Sequence, residues 1–210
     1  LDFLEHIDPD KCMVKVGLEL FISEGWKILD LISGKGFEIF LDLKLHDIPN
    51  TVKNGIKAIN KLKPKLTTIH ISGGDEMMRA SLIKNRYSKI LGVSILTSLD
   101  SEQTKKYFKE SNITKLVKKF VDEAKKQKLD GVVCSPMEIK HIRKHVGKKF
   151  IIVTPGIRLD KLNKKNDDQK RIMTPKEAVS SGANFLVIGR PITKSNNPII
   201  TLRKINNSLN

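Results

Sequence analysis

Charged side chains inside apolar segments are the residues of this sequence whose types and spacing suit them to chemistry. Asp42 and Lys44 lie two residues apart in FLDLKLHDIPNT, so on a strand both side chains point to the same face. Asp47 follows three residues later, and Lys15 interrupts a second apolar segment, VKVG. Burying these charges singly costs much free energy, so we expect them to neutralise one another. The pattern predicts an array of alternating cations and anions.

This array permits catalytic and structural interpretations. A lysine held at a strand end is a plausible proton donor. It is also a possible Schiff-base nucleophile if its pKa is depressed, although flanking carboxylates oppose this because they stabilise the ammonium form. A structural ion pair at a strand terminus explains the spacing of Asp42 and Lys44 equally well.

A second polar region, near the C-terminus, has the composition of a phosphate site. Arg158 ends the segment TPGIR, and Gly189 and Arg190 follow one another in IGRP. A glycine lets backbone N–H groups approach an anion, and an arginine supplies a forked, permanent cation. The polar stretch 159–171 is expected to be either a mobile lid or solvated irregular chain. A glycine turn beside a surface arginine is the structural alternative.

Short apolar runs alternate with helical patterns and are expected to form the strands that position these residues. The helical patterns cover 52–62, 114–126 and 174–181. Strand and helix in alternation predict an α/β fold with a parallel sheet. The seven predicted strands are 13–20, 38–44, 66–72, 90–96, 131–135, 150–155 and 185–189.

The number of strands favours a (β/α)8 TIM barrel, formed as a single domain over residues 1–210. Residues 1–6 have the pattern of a helix end, so the eighth strand, the first in chain order, is expected upstream of Leu1. An open doubly wound sheet is the alternative, but its glycine-rich G-x-G-x-x-G turn is missing from the sequence. In a barrel, the active site lies at the carboxyl ends of the strands.

The composition narrows the class of function. Lys and Arg number 39 against 23 Asp and Glu, giving a net charge of +16. Such a charge suits nucleic acid or an anionic small molecule, but the lysines are scattered and aromatic residues make up only 5%. We therefore expect no nucleic-acid partner.

No apolar stretch has the ~20 residues of a membrane span. Cys12 and Cys134 are expected to be small apolar residues in a reducing cytoplasm, and no metal-site spacing occurs.

The motifs together resemble those of the orotidine 5′-monophosphate decarboxylase family. The signature FLDLKLHDIPNT is accompanied, in order, by VKVGLELF, HISGG, ILTS, DGVVCS, VTPGIR, DDQKRIMTP and VIGRPIT. The resemblance implies that the chain converts orotidine 5′-monophosphate to UMP, the last step of de novo pyrimidine nucleotide biosynthesis. It also implies that no metal and no organic cofactor takes part.

The resemblance also implies roles for individual residues. The signature's charged residues and Lys15 match the catalytic tetrad, in which Lys44 protonates C6 of the pyrimidine as carbon dioxide leaves. Asp47 and Thr51 are contributed across a homodimer interface in this family, so the active sites are expected to be shared. Lys15 and Asp42 are expected to contact the substrate as well. The other expected contacts to the nucleotide are Thr97, Arg158, Gln169, Gly189 and Arg190.

One expected substrate contact has no counterpart in the sequence. The family's first strand ends in an aspartate that binds the ribose. Asp2 is not that residue, because only four residues separate it from Ile7, too few for the intervening helix. Two alternatives to this family stay open: a related magnesium-dependent barrel enzyme acting on a sugar phosphate, and a non-enzymatic nucleic-acid-binding protein.

Overall fold

A computed structural model describes residues 1–159 and 172–209. These residues divide into two compact units, the first formed by Leu1–Gly92 with Gln127–Asp130 and the second by Val93–Lys126 with Gly131–Asn210. None of the helices in the described ranges has both the length and the apolar character that crossing a membrane requires. The prediction of a single domain over 1–210 stays a prediction.

The first unit alternates strands and helices from its start. Its helices are α1 (Asp2–Glu5), α2 (Leu18–Glu24), α3 (Lys27–Gly34), α4 (Pro49–Lys61) and α5 (Asp75–Ser81), with short 3-10 turns at Pro9–Lys11 and Ile71–Gly73. Its strands are β1 (Val14–Gly17), β2 (Ile39–Leu45), β3 (Leu66–His70) and β4 (Lys89–Val93), whose last residue belongs to the second unit.

The second unit continues the alternation. Its helices are α6 (Ser101–Phe108), α7 (Ile113–Lys126), α8 (Ile139–Val146), α9 (Pro175–Ser181), α10 (Arg190–Thr193) and α11 (Pro198–Asn207), with a 3-10 turn at Pro136–Glu138. Its strands are β5 (Gly131–Val133), β6 (Ile151–Thr154) and β7 (Phe185–Leu186).

The strand order in the sheet is the order in the chain, from β1 to β7. Strand pairing is parallel between β1 and β2, β2 and β3, β5 and β6, and β6 and β7. Parallel strands that follow one another in chain order, connected by helices, are the arrangement of a (β/α)8 barrel. A doubly wound sheet is excluded, because its strand order runs first to one side of the starting strand and then to the other. The predicted fold class is confirmed.

Each unit packs its helices onto the strands through side chains with the expected spacing. In the first unit, Val52, Ile56 and Ile59 of α4 are buried, as are Leu41 and Ile69 of the strands. In the second unit, the buried residues of α7 recur every three to four positions, with lysines between them: Leu116, Val117, Val121 and Ala124. Burial of these apolar faces is the main source of helix stability in a globular protein.

Six of the seven strands are shorter than the apolar runs that predicted them. The run 13–20 forms a strand only over Val14–Gly17, since Leu18 already begins α2. The run 66–72 ends as a strand at His70 and continues as a 3-10 turn. In both runs the residues beyond the strand turn away at its carboxyl end, where this fold places its functional groups.

Candidate active site

Lys15, Asp42 and Lys44 form one cluster, called here the lysine–aspartate cluster, in the first unit. The Lys44 Nζ atom lies 2.9 Å from Asp42 Oδ2, and the Lys15 Nζ atom lies 3.3 Å from the same oxygen. Asp42 is 8% exposed, whereas both lysine side chains are about one third exposed. The buried carboxylate is thus paired with two ammonium groups that are accessible to solvent.

The register of β1 on β2 explains how Lys15 reaches Asp42. Lys15 pairs with Phe40, and Gly17 pairs with Asp42. Lys15 and Gly17 share a face, and the lysine side chain extends along the strand past the glycine. A Cβ atom on Gly17 would lie 3.0 Å from the Lys15 Nζ atom. Gly17 therefore leaves the space through which the ammonium group meets the carboxylate.

A threonine completes the coordination of Asp42. The Thr68 hydroxyl donates a hydrogen bond of 3.0 Å to Asp42 Oδ1, the oxygen that the lysines leave open. The same hydroxyl accepts a 2.9 Å hydrogen bond from the backbone N–H of Lys44. Thr68 was not among the residues expected from the sequence, because a threonine in an apolar strand carries no charge to mark it.

The charge state of Asp42 follows from these contacts. Burial by itself raises the pKa of the carboxyl group. The charges of Lys44 and Lys15 outweigh that effect and, with the hydrogen bonds from Lys44 and Thr68, hold the pKa of Asp42 below its ordinary value of 3.8. Asp42 is therefore an anion at neutral pH and forms an ion pair with each of the two lysines.

Two histidines lie beside the cluster at the ends of β2 and β3. The rings of His46 and His70 are 5.2 Å apart between centroids. Burial lowers the pKa of His70, and the neighbouring His46 and Lys44 lower it further, against an opposing effect of Asp42. His70 is therefore neutral at physiological pH and adds no third positive charge beside Lys44.

Asp47 does not join the cluster within one chain. Its carboxylate is exposed and accepts a hydrogen bond of 2.6 Å from the N–H of Ile48. No ion pair joins it to Lys15 or Lys44 in the described part of the chain. Thr51, in the first turn of α4, is exposed as well. The structure thus brings together three of the four predicted tetrad residues.

The other predicted nucleotide contacts whose positions the structure describes lie in the second unit. Arg158 is half-buried, donates from Nη1 to the Ile157 carbonyl at 2.9 Å and from its backbone N–H to Met173 at 3.0 Å. Gly189 precedes α10, Arg190 begins it, and both are exposed. Thr97 is half-buried in the segment after β4.

The segments that carry Arg158 and Arg190 start side by side. Thr154 at the end of β6 pairs with Leu186 at the end of β7, and the Thr154 carbonyl accepts a 2.9 Å hydrogen bond from Val187 N–H. Among the described residues, none apart from its chain neighbours has an atom within 4 Å of a Cβ built on Gly189, so its backbone is open to solvent on that side. Gln169 and positions 160–171 of the predicted lid lie outside the described residues.

Comparisons with known proteins agree on one family. The sequence profile described as the orotidine 5′-phosphate decarboxylase / HUMPS family matches residues 1–205. The chain belongs to this family. The family predicted from the motifs is therefore confirmed.

Individual members resemble the chain along its whole length. It is 44% identical to a protein named orotidine 5′-phosphate decarboxylase from Wigglesworthia glossinidia brevipalpis, with 100% of this chain and 91% of that protein aligned. A protein of the same name from Vibrio cholerae is 42% identical, with 100% and 92% aligned. The crystal structure of the decarboxylase from Lactobacillus acidophilus superposes with a TM-score of 0.83 at 34% identity, covering 100% of this chain and 92% of that one.

Proposed function

We propose that this protein is a carboxy-lyase that converts orotidine 5′-monophosphate to UMP and carbon dioxide, the final step of de novo pyrimidine nucleotide synthesis. The observation that carries the proposal is the buried Asp42 carboxylate held between two ammonium groups. Membership of the family and full-length similarity to proteins named for this activity support it.

The reaction requires a group that stabilises the negative charge developing on C6 and then donates a proton to that carbon. When the bond between C6 and the carboxylate carbon breaks, the electron pair stays on C6 and carbon dioxide leaves. The Lys44 ammonium group stabilises that charge and transfers its proton to C6, forming UMP. The neutral amine then regains a proton from solvent. The Asp42 carboxylate, 2.9 Å away, holds the Lys44 ammonium group in place before the reaction.

Lys15 and Asp42 have distinct positioning roles in this proposal. Asp42 faces the region where the substrate carboxylate must lie, because Lys44 has to reach the carbon that bears it. Lys15 offsets part of the resulting repulsion, since its ammonium group lies 3.3 Å from the same Asp42 oxygen. We also propose that Lys15 contacts a ribose hydroxyl.

The remaining proposed substrate contacts follow the resemblance to the family. Thr97 is proposed to contact the pyrimidine, and Gly189 and Arg190 the phosphate, together with Arg158 and Gln169. The binding energy of this remote phosphate is available for the reaction only if it is realised in the transition state. The net charge of +16 favours association with a nucleotide anion.

We propose that the active unit is a homodimer in which Asp47 and Thr51 complete the site of the other subunit. Both side chains are exposed in the single chain. Ile48, between them, is 66% exposed, although an isoleucine is normally buried. Docking of a second copy over this segment would bury Ile48 and carry the Asp47 carboxylate to a neighbouring cluster. We expect the enzyme to act in the cytoplasm.

An absorbance assay tests the proposed activity. Purified protein is mixed with orotidine 5′-monophosphate, and the change in ultraviolet absorbance that accompanies its conversion to UMP is followed with and without EDTA. We expect turnover that EDTA leaves unchanged. Turnover only with added magnesium, or on a sugar phosphate in place of the nucleotide, would contradict the proposal and favour the related sugar-phosphate enzymes.

A further inference from the structure

We propose that Thr68 is a positioning residue for the reaction, and that its hydroxyl sets the relative placement of Asp42 and Lys44. The proposal rests on the proposed function, because it assigns Thr68 an effect on the step in which Lys44 protonates C6. Three observations support it: an irregularity between two strands, the backbone conformation of Lys44, and the two hydrogen bonds of one buried hydroxyl.

The pairing of β2 with β3 is interrupted where the cluster lies. Leu41 pairs with Thr67, but the next pair joins Leu45 to Ile69. Four steps along β2 therefore match two steps along β3, which is a bulge in β2 that contains Asp42 and Lys44. Bulges redirect side chains and remove backbone groups from the regular ladder. Residues in the bulge need other partners.

Lys44 has the backbone conformation that such a bulge demands. Its φ is +51°, in the left-handed region that residues with a side chain seldom adopt. Such a conformation persists where surrounding contacts enforce it. The backbone N–H of Lys44 finds its partner in the Thr68 side chain, at 2.9 Å, in place of a strand carbonyl. The threonine thus holds the residue that carries the proposed proton donor.

The Thr68 hydroxyl both accepts and donates a hydrogen bond within the cluster. It accepts from the Lys44 amide, so its own proton is free to go to Asp42 Oδ1, 3.0 Å away. Thr68 is 0% exposed, and water therefore does not compete for either bond. One hydroxyl fixes the backbone of Lys44 and the carboxylate that holds the Lys44 ammonium group. The position of the Nζ atom is restrained from both ends of the side chain.

Loss of this hydroxyl should change the reaction more than the binding of the nucleotide. Valine at position 68 has nearly the same shape but leaves the Lys44 amide and one carboxylate oxygen without a partner. The bulge would relax toward a conformation that satisfies them, and the ammonium group would move relative to C6. Displacements of about 1 Å from a reactive geometry cost on the order of 100-fold in rate. Phosphate contacts elsewhere in the chain do not depend on Thr68.

Three variants test the proposal, with a matched control in the same strand. Thr68→Val removes the hydroxyl, and Thr68→Ser keeps it. Thr67→Val is the control, because Thr67 is also 0% exposed but its Oγ1 has no hydrogen-bond partner among the described residues. We expect Thr68→Val to lower kcat by about 10- to 100-fold with KM changed less than about threefold. Thr68→Ser and Thr67→Val should keep kcat within about threefold of the unaltered protein.

Other outcomes would overturn the proposal. An unchanged kcat in Thr68→Val, or an equal loss in Thr67→Val, would show that the hydroxyl does not position the cluster. A rise in KM alone would assign Thr68 to nucleotide binding. Failure of Thr68→Ser to restore kcat would indicate a packing role for the side chain.

A measurement independent of turnover separates this proposal from the proposed function. Hydrogen exchange of the Lys44 amide should be faster in Thr68→Val than in Thr67→Val, since only the former removes its acceptor. If the unaltered protein does not act on orotidine 5′-monophosphate, the proposed function fails. An exchange rate equal in the two variants would instead refute the restraint on Lys44, whatever the activity.

Discussion

At the scale of single residues, the buried Asp42 carboxylate has three different partners. Asp42 has an ion pair to each of two lysines through Oδ2 and a hydrogen bond from Thr68 at Oδ1. Each partner stabilises the anion, so the carboxylate stays charged despite its burial. A charged group with fixed neighbours reorganises little when charge develops nearby, which is the condition for electrostatic catalysis.

Replacing the proposed proton donor should abolish turnover without abolishing binding. Lys44→Ala removes the ammonium group beside Asp42, and we expect kcat to fall by on the order of 1000-fold or more. UMP should still bind, because the proposed phosphate contacts lie elsewhere. Steady-state kinetics and calorimetric titration with UMP measure the two effects. Lys57→Ala, which removes an exposed lysine of α4, is the control and should leave both unchanged. Near-normal turnover of Lys44→Ala would refute the role of Lys44.

The lowered pKa of Asp42 predicts a contribution to acid stability. The unfolded chain takes up a proton near pH 3.8, whereas the folded chain does so only at a lower pH. The ionised group therefore stabilises the fold above pH 3.8, and this contribution is lost as the pH falls through the folded pKa. Urea unfolding of the unaltered protein and of Asp42→Asn should show a stability difference that shrinks between neutral pH and pH 3. A difference that is constant or grows with acid would contradict the assignment.

At this scale the sequence predicts the charged groups and misses the uncharged ones that arrange them. Lys15, Asp42 and Lys44 stand out because charges interrupt apolar strands. Thr68 and Gly17 carry no charge, so neither stands out in an apolar strand in this way. Their importance depends on which residues face each other across strands, and on a bulge that only the assembled sheet creates.

At the scale of elements, an arginine of α8, Arg143, donates hydrogen bonds to residues at the ends of neighbouring helices and strands. Arg143 donates from Nε and Nη2 to the Gly182 carbonyl, at 3.0 and 2.7 Å. It also donates to the Asn184 side chain at 2.6 Å, to the Phe150 carbonyl at 2.8 Å and to Gly147. Carbonyls at the ends of helices and strands lack partners within their own element, and one guanidinium group satisfies several of them here.

Loss of this arginine should destabilise the second unit. Arg143→Ala leaves the Gly182 and Phe150 carbonyls without their donor, and hydrogen bonds from a charged group contribute about 1.5–3 kcal/mol each in net stability. Because Arg143 is partly exposed, we expect a total loss of about 2–3 kcal/mol rather than the sum. Urea unfolding measures it. Lys144→Ala, one residue along and exposed, should change stability by less than about 0.5 kcal/mol. Equal effects of the two variants would show that the network contributes nothing specific.

Helix boundaries are predicted better than strand boundaries, for a physical reason. The predicted helix 174–181 forms as α9, with the Thr174 hydroxyl accepting from the Glu177 N–H in a capping box. This cap is local in sequence and so visible in it. Six of the seven strands end before their apolar runs do, because the residues that follow turn out of the sheet. Apolar composition records burial and does not record where pairing stops.

At the scale of the whole molecule, the proposed homodimer is the feature with the largest functional consequence. Asp42 and Asp47 belong to the same chain, but their carboxylates do not contact each other in it. In a dimer with shared sites, each site uses Asp42 and Lys44 from one subunit and Asp47 from the other. Two subunits that each carry a different inactivating substitution can therefore form a mixed dimer in which one site keeps all of its unaltered residues.

Mixed dimers test this arrangement. Subunits carrying Asp47→Ala and Lys44→Ala are produced together with two different affinity tags, and the mixed dimer is isolated. One of its two sites then contains only unaltered residues, so we expect about half the activity of the unaltered dimer, although each variant alone is inactive. Pairing Asp42→Asn with Lys44→Ala is the matched control and should restore nothing, because both residues act in the same subunit. Equal activity of the two pairings would contradict the shared site.

The left-handed backbone of Lys44 has a consequence for the descent of this protein. Within β2 only this residue has a positive φ, and a side chain there costs about 1–2 kcal/mol compared with an ordinary conformation. Under the proposed function, selection for turnover keeps a lysine where glycine or asparagine would fit the backbone better. A descendant released from that selection would relieve this backbone strain by making the exchange, although it would lose the ion pair with Asp42. Glycine or asparagine at this place in a related gene would therefore mark a copy that has given up catalysis while keeping its fold.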